Sequence, residues 1–270
     1  MRMKPCWNRI GIVIFAALVA GSIGCVGPHT GSAEQTEETM ENDERLIVNE
    51  DFSDVRRNDA GRLIHGAHDW WVEGGERTWV EDGRLHVKAD PEDDDDPGYV
   101  ATVWCKTPIS GGVRIEMKAH VIDSTVGANN INIFFFYSDP EGSPLFESRG
   151  DRADAAYRYY HDLDGYIVTF LSDRREEMGV TEAGHPNARF RLRRCPGFNL
   201  VDEDYDPMGV LAGRTYDLTI IRENGVITFK VDGESFLEWE DEEPLKEGFL
   251  GLRTFRTYLW WDDIRVYQLD

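Results

Sequence analysis

The sequence predicts an all-β fold, a jelly-roll sandwich of two antiparallel sheets. Three observations carry this. Runs of β-branched and aromatic residues recur with period-two alternation through most of the chain. Turn dipeptides separate them, above all Asn224-Gly225, where both central positions of a two-residue hairpin loop take positive φ. No apolar stretch of helical period is long enough to cover a sheet. So many short strands in one domain imply two facing layers, and residues 47–270 suffice for a substantial core between them.

The chain opens with a segment of another kind. Arg2, Lys4 and Arg9 precede an apolar stretch from Ile10 to Ile23, the pattern of a secretory signal over residues 1–24. The stretch is short of the ~20 residues that span a bilayer. Ser22-Ile23-Gly24-Cys25 resembles a bacterial lipobox, so Cys25 is the expected lipid attachment point and the protein an extracytoplasmic, membrane-anchored lipoprotein. Residues 25–46 are polar and acidic, with too few apolar side chains to offset ordering entropy, and read as a flexible tether.

Strands are expected over residues 84–89, 99–104, 113–122, 130–137, 166–171, 189–194, 216–222, 226–231, 249–255 and 262–269. Asp82-Gly83 and Asp232-Gly233 are further turn signals. Fixed-period repeats are absent, which argues against a propeller or solenoid. Once Cys6 leaves with the signal and Cys25 is lipidated, Cys105 and Cys195 are the remaining thiols, either bridged or separately buried. Trp260-Trp261 in a strand must face opposite ways, so one of them could be exposed, and an exposed Trp could stack on sugar.

The formal net charge of −22 excludes nucleic acid as a partner. Against that background residues 157–200 carry seven arginines and six acids, an island that could receive an anion. Strand parity puts Arg189, Arg191 and Arg193 on one face with Phe190 and Leu192 opposite. Three guanidiniums on one face need either carboxylates from neighbouring strands or an anionic ligand such as a uronate or sulfate. Asn130 and Asn132 likewise share a face, opposite Ile131, Ile133 and Phe135, and suit sugar hydroxyls or a buried pair bonded to itself. If residues 157–161 are extended, Tyr157, Tyr159 and His161 share a side and Arg158 and Tyr160 the other.

Three motifs carry a resemblance. Tyr157-Arg158-Tyr159-Tyr160-His161, then Tyr166-Ile167-Val168-Thr169-Phe170, then Arg191-Leu192-Arg193-Arg194-Cys195-Pro196-Gly197-Phe198 resemble the YesU-like family of uncharacterised jelly-roll proteins from polysaccharide utilisation loci. In that family Asn-Leu-Arg-Lys is frequent before Pro-Gly-Phe; here Arg191 and Arg194 replace the Asn and the Lys. The closing strands, from Gly213 to Val266, resemble concanavalin A-like lectin and glucanase sandwiches. The resemblance implies a saccharide partner without naming a reaction.

Arg beside His and Tyr suits β-elimination of a uronic acid. Arg neutralises the carboxylate, His or Tyr removes the C5 proton, and a Tyr hydroxyl protonates the leaving oxygen. The expected catalytic set is His161, Tyr159, Tyr160 and Arg158, and the expected substrate-binding set is Arg191, Arg193, Asn130, Asn132 and Tyr166. A non-catalytic glycan-binding lipoprotein would use the same residues. Glu238 to Glu243 superficially resembles a glucanase carboxylate strand but runs into a loop at Pro244 and reads as a solvated acidic edge. Glu92 to Asp96 offers hard oxygens for calcium or a solvated loop; no cofactor is otherwise implied. Phosphate-loop, serine-elbow and zinc-helix motifs are absent, which sets aside nucleotide, acyl-hydrolase and metalloprotease chemistry.

Overall fold

The computed structural model describes residues 44–55, 57–59, 62–93 and 95–269. The signal segment, Cys25 and the tether as far as residue 43 lie outside the described residues. In chain order the strands are β1 Arg45–Glu50, β2 Arg57–Asp59, β3 Leu63–His65, β4 Trp70–Gly74, β5 Arg77–Glu81 and β6 Arg84–Ala89. Next come β7 Val100–Cys105, β8 Ile109–Ser110, β9 Gly112–Asp123, β10 Ile131–Ser138, β11 Asp164–Ser172 and β12 Ala188–Cys195. The last are β13 Asn199–Asp206, β14 Thr215–Glu223, β15 Val226–Val231, β16 Glu234–Glu240, β17 Glu247–Phe255 and β18 Thr257–Leu269.

They form two antiparallel sheets. One runs β16-β15-β14-β9-β18-β6-β5, with β1 also on β18; the other runs β13-β12-β11-β10-β17-β7-β4-β3-β2, with β8 on β17. Sequence neighbours are therefore often not sheet neighbours, and the middle of the second sheet joins segments from the two ends of the domain. Period-two alternation sends Ile131, Ile133 and Phe135 of β10 and Phe190 and Leu192 of β12 inward. There they meet Ile115 and Met117 of β9 and Leu218 and Ile220 of β14 in one cluster. Each such side chain contributes roughly 1.5–3 kcal/mol on full burial. Asn224 and Gly225 have φ of 50° and 83°, as the β14–β15 hairpin requires.

All ten expected strands are present. Of the others, β4 is buried along its whole length, so alternation is missing there. β13 carries four acids in eight residues and looks like a loop, yet it is a sheet edge laid against the arginine-rich β12.

Two expectations are corrected, for residues 157–161 and for Trp260-Trp261, and the alternative left open for the cysteines is decided. Tyr157–Tyr160 is a 3₁₀ turn rather than an extended segment, and His161 follows it. Cys105 and Cys195 are free and buried on opposite faces of one sheet. β12 and β7 stand four strand spacings apart, roughly 19 Å, far beyond the reach of a disulfide. Trp261 is fully buried, and Trp260 is stacked against His120 at 4.8 Å with Arg84 over it, so neither offers a free face.

The acidic runs also have local uses. Asp93 accepts from Asp95 N at 2.9 Å, and Asp96 caps the turn Pro97–Tyr99 through Gly98 N at 2.7 Å. Asp241, beyond the edge strand β16, is nearly buried rather than solvated and holds Tyr166 and Arg194.

Candidate functional site

The connection from β10 to β11 lies across the outer face of the second sheet. Beneath it Trp71, Trp104, Phe134, Tyr137 and Tyr160 form a second, smaller apolar cluster. Glu73 ties the connection down. This carboxylate, 1% exposed, accepts from Trp71 Nε1 and Trp104 Nε1, each at 3.1 Å, from Tyr160 Oη at 2.6 Å, and from Arg152 Nη2 at 2.9 Å and Nε at 3.3 Å. A buried charge is tolerable only when paired and bonded in this way.

Beside the cluster the same face carries a polar row. Registry places Arg191 (β12) opposite Thr169 (β11), Thr169 opposite Asn132 (β10), Asn132 opposite Arg253 (β17), Arg253 opposite Thr102 (β7) and Thr102 opposite Glu73 (β4). Directly opposed residues stand ~4.5–5.5 Å apart, so the row crosses six strands perpendicular to the chain.

Above the row opens a cleft of about 700 Å³, a size suited to a small ligand. Asn130, Asn132, Arg191 and Arg253 form its floor, Tyr157 and Arg158 one wall, and Phe255, 42% exposed, lies at its rim. Five of its described lining residues are arginines and Asp173 is the acid among them, so this is a cationic hollow in an acidic protein.

Asp173 is already engaged. Arg175 Nε donates to it at 2.8 Å, and that bond holds its carboxyl below the usual carboxylate range. Arg253 is 2% exposed and forms no ion pair among the described residues; its Nη1 donates to Thr102 Oγ1 at 2.7 Å and to the Ala155 carbonyl at 3.0 Å. Arg191 has no ion pair there either, because Glu203 turns to Arg189, whose Nε donates to it at 2.8 Å. Burial, reinforced by Arg189, lowers the pKa of Arg191.

Buried polar atoms without a partner gather here. Of eight such side-chain atoms among the described residues, Asn132 Oδ1, Thr169 Oγ1 and Arg191 Nε belong to the row, and Arg193 Nε and His161 Nε2 flank it. Concentrated orphans of this kind mark the place where a ligand completes the bonding.

The expected site residues divide accordingly. Asn130, Asn132, Arg158 and Arg191 line the cleft together. The two asparagines are also bonded to each other, Nδ2 of Asn132 donating to Oδ1 of Asn130 at 2.6 Å. Tyr159 accepts from Arg158 Nη2 at 2.7 Å, outside the lining. Arg193 stacks on Phe198 at 4.1 Å and donates to its carbonyl.

His161 is not a lining residue. Its ring stacks on Phe198 at 4.0 Å, and burial lowers its pKa. Tyr160 is fully buried on Glu73. Tyr166 faces the opposite way, into the main core, where its hydroxyl donates to Asp241 at 2.6 Å; burial pushes its pKa up to about 12. Arg253, Tyr157 and Phe255 are cleft residues absent from the expected sets. The signal for Arg253 was available: the one charge within the 249–255 run of Phe-Leu-Gly-Leu-Arg-Thr-Phe.

Comparison with known proteins matches this frame. A family model described as Domain of unknown function (DUF6250) matches residues 95–264. "Uncharacterized protein YesU" of Bacillus subtilis (strain 168) is 23% identical over 194 residues, covering 68% of this chain and 82% of that protein. A solved Bacillus subtilis protein of unknown function with a galectin-like fold aligns with a TM-score of 0.62 at 22% identity, over 83% of this chain and 96% of its own. The endo-beta-1,3-glucanase of Pyrococcus furiosus aligns with a TM-score of 0.53 at 14% identity, over 84% and 95%. These structural likenesses establish the sandwich and nothing finer. The family match includes Asn130, Asn132, Arg191 and Arg253, and the chain belongs to the DUF6250 family of YesU-like jelly-roll proteins.

Proposed function

We propose that this protein is a carbohydrate-active lipoprotein, anchored through Cys25 at the bacterial periplasmic or cell surface, whose cleft takes an acidic, uronate-containing glycan and cleaves it by β-elimination. One observation carries the acidic ligand. Arg253 and Arg191 are charged, largely withdrawn from water and without a carboxylate among the described residues. A buried charge left unpaired is costly, so the compensating anion comes with the ligand. Arg supplies the planar fork that a carboxylate fits. Asn132 Oδ1 accepts only, so it needs a donor such as a sugar hydroxyl. Phe255, exposed at the rim, offers an apolar face for a pyranose ring. The glucanase among the structural relatives is, by its name, a glycan-active sandwich protein, which agrees with a saccharide partner.

A second reading, non-catalytic glycan binding, is favoured by the withdrawal of His161 and Tyr160 from the cleft. Absorbance of the unsaturated uronate, followed against pectic, alginate, ulvan and glycosaminoglycan substrates, separates the two. Product from one of them supports elimination; retention of an acidic glycan without product, lost in Arg191→Ala, supports binding alone. Folded protein that neither retains nor cleaves any of them refutes both.

A further inference from the structure

We propose that Tyr157, rather than His161, moves the proton in this cleft, an inference that rests on the elimination reading above. A 3₁₀ turn brings residues i and i+3 to the same side. Tyr160 accordingly descends to Glu73, while Tyr157 stands over Arg253 with its ring 4.6 Å from the guanidinium carbon. The Tyr157 ring is held by neighbours: Phe198 edge-on at 4.9 Å, His161 edge-on at 5.2 Å and Phe134 parallel at 6.1 Å. Its hydroxyl, in contrast, makes no hydrogen bond to any described residue. A fixed ring whose one polar atom is unused, in the wall of a ligand cleft, presents that atom to the ligand.

Arg253 beneath it, Arg191 and Arg193 from β12 and the Cys195 thiol are the charged and titratable groups facing the phenol, with His161 from its own segment. Burial raises the pKa of Tyr157 and outweighs the guanidiniums, so at neutral pH it is a phenol that can both give and take a proton. With the uronate carboxylate on Arg191, the C5–H bond breaks and its proton passes to the Tyr157 oxygen. The proton already on that oxygen passes to the glycosidic oxygen at C4. The C5–H electron pair becomes the C4=C5 double bond, and the C4–O pair leaves with the oxygen as a hydroxyl. Tyr157 ends as it began, and no further reactant is consumed. His161 is excluded from this role by position, with its Nε2 buried and its ring covered by Phe198.

The test compares wild type, Tyr157→Phe and His161→Ala as full chains on uronic-acid oligomers, with calorimetric binding read beside double-bond absorbance. Tyr157→Phe removes an atom that bonds to no described residue, so binding is expected to stay within about threefold while turnover falls ~100-fold or more. His161→Ala, which also removes a ring that supports Tyr157, is expected to lose far less turnover than Tyr157→Phe and to keep the acid side of the wild-type rate profile. Normal turnover in Tyr157→Phe overturns the proposal. So does an acid limb below 6.5 in the wild-type profile that disappears in His161→Ala. Wild type that binds every oligomer but cleaves none overturns the role of Tyr157 and leaves the saccharide site standing; wild type that binds none overturns the site itself. If Tyr157→Phe does not fold, the wild-type profile decides: a phenol donor gives a rate flat through neutrality that falls only above 10.

Discussion

Replacing Arg152 by Met tests whether the Glu73 knot holds the cleft wall in place. Methionine refills most of the arginine stem, so packing changes little while the charge balance changes fully. Glu73 would keep its indole and phenol donors and lose its ion-pair partner, both side chains being at most 5% exposed. Breaking one side of a buried pair costs about 3–5 kcal/mol. The surviving bonds to the carboxylate, each worth about 1.5–3 kcal/mol, place the expectation at the lower end, about 3 kcal/mol. At about 2–4 °C per kcal/mol for a domain of this size, Tm should fall by about 6–12 °C. Removing both charges, in Glu73→Gln with Arg152→Met, leaves no orphaned ion and should recover at least half of the loss. Urea and thermal denaturation of wild type, both single variants and the double variant measure the coupling. A loss below about 1 kcal/mol in Arg152→Met, or a double variant no more stable than that single variant, would refute the reasoning.

Arg191→Met removes a cation that repels Arg189 and Arg193, so stability should hold or rise by about 0.5 kcal/mol while affinity for an acidic oligosaccharide drops ~30-fold or more, read by melting with and without ligand. His161 has a folded pKa below 6.5, so the stability it contributes is present above 6.5 and is lost as pH falls through the folded value, where the unfolded chain takes up the proton first; His161→Phe should flatten the Tm profile over that window. Asp173, depressed below 3.8, gives the same sign at lower pH: its contribution is present above 3.8 and lost beneath it, and Asp173→Asn should remove that part of the acid limb. Cys105 and Cys195 should both titrate as thiols, but only after unfolding, and a reductant should leave Tm unchanged. A Cβ on Gly251 would meet the Trp104 ring at 2.7 Å, so Gly251→Ala should cost about 1–3 kcal/mol and alter the tryptophan fluorescence.

Most of the sandwich was legible because alternation and turn chemistry are local. The Asn-Gly, Asp-Gly and β-branched signals need only nearest neighbours in sequence. The cleft was legible where parity applies, at Asn130, Asn132 and Arg191, and where charge density flags a segment. It was not legible at residues 157–161, since an aromatic-rich connection has no strong backbone preference and its conformation follows from the face it covers. The same holds for Glu73. Its strand is buried on both sides, and the meaning of its charge lies in Arg152, Trp104 and Tyr160, all distant in sequence. Two of the arginines of β12 met different fates for the same reason: Arg189 found Glu203 on an acidic edge that reads as loop, while Arg191, one pair along, has no ion pair among the described residues.

The polar row draws its members from residues 73 to 253, each on a different strand. No fragment of the chain contains it, and no local hairpin can form it in advance. Ligand affinity therefore appears only after the long-range pairings have closed in correct register, which makes saccharide retention an assay of completed folding. By mass action a bound glycan would in turn favour that register over any slipped alternative.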